Sequence, residues 1–363
     1  MTRAALLLLF LCLYPLAVDA EMITGFVAEA IVRNPRNTEG DILPLKDGTL
    51  LAVWSEFYGG NRDESSARIA ASTSRDGGRT WRPRYTLQEN IGRQNVMSAT
   101  LLRSRKSGEI LFFFLVKDSE EELYPMVRRS RDEGKTWSEP LRLHRDPGYY
   151  VMNNARVVQL KSGRILCPMS FTSRVMTKKH EFRNVVYYSD DDGRTFRRSP
   201  SILSAPKRGA MEPGLIELID GRVLQIIRTQ VGQVWHSISS DGGVTWPAAT
   251  PWTVAAPESP STIFRLPPAK SGTSGELVII YNPSVKVGSD HSGPRTPLAA
   301  SLSTDEGRTW SAPKIIEPDP ASTNAYTSAT LHREQVLLTY YYAKNKLYSQ
   351  RFKSLPVSWF REP

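Results

Sequence analysis

The sequence predicts an all-β fold, a six-bladed β-propeller carrying five aspartate turns. Three observations lead there. A short aspartate-glycine-aromatic frame recurs five times, a strand–turn–strand hairpin recurs six times, and the frames are spaced like propeller blades.

The frame Ser-x-Asp-x-Gly-x-Thr-Trp first stands at Ser74, Asp76, Gly78, Thr80 and Trp81. It returns as SRDEGKTW (130–137), SDDDGRTF (189–196), SSDGGVTW (239–246) and STDEGRTW (303–310). Its aspartates, 76, 132, 191, 241 and 305, lie 56, 59, 50 and 64 residues apart. A short carboxylate accepts backbone N–H groups in a turn, glycine takes the left-handed conformation, and the closing aromatic returns to the core. Each frame follows an apolar-alternating run such as ARIAAS, VVYYS or LAASLS, which places it between two strands.

The hairpins begin with ILPLKDGTLLAVW, TLLRSRKSGEILFFF, RVVQLKSGRILCPM and GLIELIDGRVLQII, each turning at a glycine. TIFRLPPAKSGTSGELVIIY has a longer turn, and ATLHREQVLLTYYY is a sixth hairpin without the glycine. Six hairpins against five aspartate turns give six units, the last ending in NKLYSQRF. The strand-like FVAEAIVR at 26–33 is expected to supply the outer strand of the last unit and close the ring. No composition shift marks a second domain.

Residues 1–20 read as a signal peptide: Arg3, an apolar run, and a small-residue end at Val18-Asp19-Ala20. The expected mature chain, 21–363, is then a secreted or periplasmic propeller with no stable membrane insertion, acting as a monomer. Cys12 falls in the leader, so Cys167 is the only mature cysteine and reads as a buried, inert thiol. His180 and His291 lack metal-ligand spacing, so neither a metal nor any other cofactor is expected. The formal charge of +10 favours acidic partners. Scattered basic residues and the lack of a nucleic-acid motif argue against nucleic acid and for acidic glycan.

Asp63, unlike Asp76, has no counterpart in the other units. Residues that break the repeat are the candidates for chemistry, and here the chain resembles the sialidases (neuraminidases), in particular their bacterial Asp-box (BNR) repeat branch. Sialidases are six-bladed propellers that hold a substrate carboxylate with three arginines. They use an aspartic acid as acid/base and a tyrosine nucleophile paired with a glutamate. The resemblance implies that Glu212, at the head of the fourth hairpin, is that glutamate and that Arg228, at the end of the same hairpin, is a clamp arginine. It likewise points to Arg295 before the fifth Asp-box strand, Tyr326 as nucleophile at the head of the sixth hairpin, and Asp63 as acid/base. The usual Arg-Ile-Pro of the first blade is replaced by RNPRNTEGDILPL, leaving Arg36 as the nearest match and Arg33 as the fallback. Arg156 in NNARVVQL is a further candidate from the third blade.

The residue types fit one chemistry. Guanidiniums grip a carboxylate in fixed geometry. A sialic acid carries its carboxylate on the anomeric carbon, which repels a carboxylate nucleophile; a tyrosine avoids that clash, and sialidases are the recognised exception to the two-carboxylate rule. The expected activity is hydrolysis of terminal sialic acid with retention, with sialylated or other acidic glycans as partners. The alternatives are a hydrolase of another acidic glycan on the same fold and a propeller that binds acidic glycans without cleaving them. Trp54, Phe57 and Tyr58 near Asp63 are read either as a sugar-pocket wall or as core.

Overall fold

The computed structural model describes residues 21–175, 181–286 and 288–362. The expected leader and His180 lie outside the described residues. The fold is all-β.

The chain forms six successive antiparallel strand groups. The N-terminal β1 (Ile23–Ala28) precedes the first group, β2 (Arg36–Pro44), β3 (Leu50–Phe57), β4 (Ala67–Ser74) and β5 (Tyr85–Gln88). The second holds β6 (Asn95–Arg103), β7 (Ile110–Lys117), β8 (Leu123–Ser130) and β9 (Leu141–Arg142). The third holds β10 (Tyr149–Val151), β11 (Val158–Gln159), β12 (Ile165–Thr172), β13 (Arg183–Ser189) and β14 (Arg197–Arg198). The fourth is β15 (Met211–Glu217), β16 (Val223–Arg228), β17 (Gln233–Ser239) and β18 (Thr250–Ala255). The fifth is β19 (Thr262–Arg265), β20 (Leu277–Tyr281), β21 (Leu298–Ser303) and β22 (Lys314–Glu317). The sixth is β23 (Thr323–His332), β24 (Gln335–Lys344) and β25 (Leu347–Pro356), followed by the short helix α1 (Val357–Arg361). The expected N-terminal strand begins earlier than 26–33 and pairs antiparallel with β25, at the edge of the last group.

Burial on both faces explains the apolar strands. In ILFFFLVK of β7, Phe112 and Phe114 join a core with Val53, Ile69 and Ala71 of the first group. Leu111, Phe113 and Leu115, on the opposite face, pack with Ile165, Cys167, Met169 and Val185 of the third. The period-2 alternation thus serves two neighbouring sheets at once. Similar cores join the third group to the fourth, the fourth to the fifth and the fifth to the sixth. A sixth cluster sets Leu337 and Phe352 against Leu50, Ala52 and Trp54, joining the last group to the first. Cys167 is fully buried here, and burial pushes its thiol up, as befits an inert side chain.

The turns after β4, β8, β13, β17 and β21 repeat one hydrogen-bond network. In the first, Ser74 Oγ donates to Asp76 Oδ1 at 2.7 Å and accepts from the Gly78 amide at 2.8 Å. The Thr80 amide donates to Asp76 Oδ1 at 2.9 Å and its hydroxyl to Oδ2 at 2.5 Å. The same bonds form around Asp132, Asp191, Asp241 and Asp305. Each aspartate is spent on its own turn, and where the next residue is acidic it reaches the neighbouring group. Glu133 takes Arg103 and the Lys46 amide, and Glu306 takes Arg265 and the Ile219 amide.

Gly78 shows how closely the turn approaches its neighbour. Its φ is +96°, and a Cβ there would sit 2.1 Å from the buried Phe352 ring. Gly108 also has positive φ, +74°, but a Cβ there meets nothing within 4 Å. Alanine at either site carries left-handed strain of about 1 kcal/mol, and at Gly78 overpacking adds roughly 1–3 kcal/mol. Thermal unfolding of Gly78→Ala and Gly108→Ala should therefore show a clearly larger loss of Tm for Gly78→Ala. Equal losses would mean that the turn does not press on Phe352.

Candidate active site

The innermost strands of several groups break register at one place. Irregularities fall between Thr38 and Asp41 in β2, Met97 and Thr100 in β6, Met211 and Gly214 in β15, and Ala325 and Ser328 in β23. Each carries one non-glycine residue at positive φ: Glu39 (54°), Ser98 (54°), Glu212 (39°) and Tyr326 (60°). Such residues cost about 1–3 kcal/mol each and persist only where surrounding structure holds them. All four line one cleft of about 340 Å³. The bulge is therefore the device that turns an in-plane strand residue into the cleft.

Tyr326 donates its hydroxyl to Glu212 Oε1 at 3.1 Å. Glu212 Oε2 accepts from Arg228 Nη1. Burial and the nearby Glu212 carboxylate raise the Tyr326 phenol, while Arg228 and Arg295 pull it back. The Arg295 guanidinium lies over the Tyr326 ring at 5.6 Å and donates to Tyr341 Oη at 2.9 Å and the Glu258 carbonyl at 3.2 Å.

Across the cleft, Arg36 donates to Asp63 Oδ1 at 2.6 Å, to Glu39 Oε1 at 2.9 Å and to Thr38 Oγ1 at 3.0 Å. Its guanidinium rests on the Phe57 ring at 4.2 Å. The Asp63 side chain is 64 % exposed, and its backbone carbonyl is held by Asn95 at 2.8 Å and Lys117 at 3.1 Å. Arg36 holds the Asp63 carboxyl below its ordinary range. Burial raises Glu39 despite Arg36 beside it.

Asp63, Glu212, Tyr326, Arg36, Arg228 and Arg295 thus line one cleft. Arg33 stands exposed in a turn and does not line it. Arg156 does not line it either; it is buried in a second cavity further along the inner strands. Trp54 and Phe57 are fully buried, Trp54 donating to Asn37 Oδ1 at 3.0 Å, so both are core rather than pocket wall, with Phe57 backing Arg36. Tyr58 is exposed outside the cleft lining.

Sequence reasoning missed Glu39, Arg208 and Glu258. Arg208 lines the cleft and pairs with Glu258 Oε1. Glu258, fully buried, also faces Arg228 at 3.5 Å and His291 Nδ1 at 2.6 Å. Burial alone would raise its carboxyl, but Arg228, Arg208 and His291 hold it below the ordinary value. A usable signal existed: Glu258 in APESPSTIF precedes the fifth hairpin much as Glu212 precedes the fourth.

The chain matches the family described as BNR repeat-like domain over residues 48–338. It is 25 % identical over 313 residues to a sialidase of Micromonospora viridifaciens, covering 78 % of this chain and 46 % of that protein. It is 22 % identical over 324 residues to a sialidase of Bacteroides fragilis, covering 80 % of this chain and 57 % of that protein. The chain therefore spans about half the length of the curated relatives it matches. Among solved structures, a Hadza microbial sialidase superposes with a TM-score of 0.73 at 17 % identity, over 93 % of this chain and 69 % of that one. Trypanosoma rangeli sialidase with the inhibitor DANA gives 0.71 at 15 %, over 92 % and 59 %. A Dyadobacter fermentans protein of unknown function gives 0.69 at 20 %, over 92 % and 99 %. The sialidases among these are β-propellers, and the likeness extends over nearly the whole chain. The match over 48–338 and the sialidase relatives agree: this chain belongs to the sialidase-like family of BNR repeat-like domains.

Proposed function

We propose that the six strand groups are the blades of a six-bladed propeller with five Asp-box turns, and that its cleft is the active site of an exported, retaining exo-α-sialidase. The observation that carries this reading is the Tyr326–Glu212 hydrogen bond of 3.1 Å, in a cleft lined by Arg36, Arg228 and Arg295 with Asp63 on the opposite side. A glycan-binding module needs the arginines to hold a carboxylate; it does not need a phenol poised against a carboxylate base.

In this reading the arginines take the sugar carboxylate. As the Tyr326 oxygen bonds to the anomeric carbon, its proton passes to Glu212 and the glycosidic bond breaks, with Asp63 protonating the leaving oxygen. Asp63 then deprotonates a water that attacks the same carbon, the Tyr326–carbon bond breaks, and Glu212 returns the proton to the phenol. Two inversions give net retention.

The Arg36–Asp63 pair gives this cycle a proton logic. In the free cleft Arg36 keeps Asp63 ionised. A substrate carboxylate on Arg36 weakens that hold and adds a negative charge nearby. Both effects push Asp63 towards the protonated form that a general acid requires.

Release of the fluorophore from an aryl α-sialoside tests the assignment. Tyr326→Phe should lower kcat/KM by roughly 10³-fold or more while the protein stays folded. Wild-type protein that binds sialic acid without releasing it would point instead to a glycan-binding module. Because Asp63 must be protonated to act, its deprotonation sets the basic limb of the pH profile. With Asp63 depressed in the free enzyme and raised in the complex, the basic limb of kcat should lie at higher pH than that of kcat/KM; coincident limbs would refute the Arg36 argument. The Glu258 carboxylate pairs with the clamp arginine Arg228 and with Arg208, and its carbonyl accepts from the clamp arginine Arg295, so Glu258→Gln should raise KM more than it lowers kcat. An effect on kcat alone would remove its positioning role.

A further inference from the structure

One bulge beyond the catalytic residues, the same inner strands enclose a second cavity of about 240 Å³. Glu39, Ser98, Glu212 and Tyr326 line the cleft, whereas Asp41, Thr100, Gly214 and Thr330, a few residues on, line this cavity. Asn154 separates the two, donating to the Gly40 carbonyl at 2.8 Å and the Tyr326 carbonyl at 2.9 Å.

Arg156 lines the cavity and is only 2 % exposed. Its guanidinium makes one hydrogen bond, from Nη1 to Thr262 Oγ1 at 3.2 Å, and Nε and Nη2 have no protein partner. Among the described residues no carboxylate forms an ion pair with it. Asp41, on the same cavity wall, is already committed: Oδ1 accepts from the Ile42 amide at 2.8 Å and Ser328 Oγ at 2.5 Å, and Oδ2 from the Leu101 amide at 2.8 Å. Gly214 keeps the space beside the guanidinium open, since a Cβ there would lie 3.6 Å from Arg156 Nη1 and 3.2 Å from Ile226 Cγ1.

A buried cation without a counter-charge is costly, and proteins neutralise or pair such groups. We propose that this cavity is a binding site for one small monovalent anion of halide size, held by the Arg156 guanidinium. The site offers a single positive charge with no ion-pair partner among the described residues, beside the apolar Leu101, Val157, Ile263 and Phe264, with the Asp41 carboxylate on the same wall. That combination suits a singly charged, weakly hydrated anion and disfavours a phosphate or sulfate. The burial that leaves Arg156 unpaired also lowers its guanidinium to about 10, opposed by Glu212, Tyr326 and Asp41. An anion beside Arg156 therefore also offsets part of the positive field beneath the catalytic pair.

The test does not depend on the proposed activity. The Tm of the whole protein is measured against sodium bromide at constant ionic strength, balanced with sodium gluconate, an anion too large for the cavity. Crystals soaked in bromide are examined for an anomalous peak. Wild type should gain about 2–4 °C, saturably, and show bromide at Arg156, while Arg156→Met should show neither. Should Arg156→Met fail to fold, the wild-type peak and the milder Arg156→Lys, with weakened bromide dependence, decide the matter. A bromide-independent Tm with no peak at Arg156 overturns the proposal, and so does stronger stabilisation by sulfate than by bromide.

Discussion

Everything in the cleft depends on one backbone constraint, the left-handed residue at the bulge of the inner strands. A strand alternates its side chains between two faces, and here both faces are claimed by the cores of adjacent sheets. The inner strands send Glu39, Ser98, Glu212 and Tyr326 into the cleft where that alternation is broken. The bulge breaks it, at the expense of placing glutamates, a serine and a tyrosine at positive φ. Hydrogen bonds around the bulges hold them: Ser328 on Asp41, Thr262 on the Thr327 carbonyl, Asn154 on the carbonyls of Gly40 and Tyr326. Strain and the shape of the cleft are two descriptions of the same residues.

The cleft's charges are nearly balanced by its own side chains. Arg36 is shared by Glu39 and Asp63, Arg228 by Glu212 and Glu258, and Arg208 by Glu258. Arg295 differs, since its donors go to a phenol and a carbonyl, so its charge is the least compensated of the four. An incoming carboxylate meets its strongest pull at Arg295, beside Tyr326, and must compete for Arg36. Such a site discriminates by what the ligand can displace as much as by what it can fill.

What was legible in the sequence follows from which features are local. The turns close their hydrogen bonds within five residues, so Ser74, Asp76, Gly78 and Thr80 announce themselves. Asp63 stood out because it has no counterpart in the other units, whereas Glu212 and Tyr326, at hairpin heads, were reached through the family resemblance. Glu258 and Arg208 were not, because their partners lie 33 and 50 residues away and across blades. Glu39 was hidden by its neighbour, since an acidic residue three positions from Arg36 reads as an ordinary ion pair until the bulge turns it inward. Trp54 and Phe57 left two readings open, since aromatic residues near an acidic loop suit a sugar platform or a core, and burial on both faces of β3 puts both in the core.

Arg156 shows how fine the margin is between the two cavities. It follows Ala155, a positive-φ residue of the third group, and so belongs on the far side of that break, where Asp41, Thr100 and Gly214 also stand. Before that break Asn153 lines the cleft, and after it Ala155 and Arg156 line the second cavity, with Asn154 between them. A guanidinium that meets carboxylates in the cleft, as Arg36 and Arg228 do, becomes at this depth a cation with one hydroxyl partner. Residue type alone cannot separate those roles, because the chemistry of an arginine here is decided by which side of a single backbone bulge it occupies.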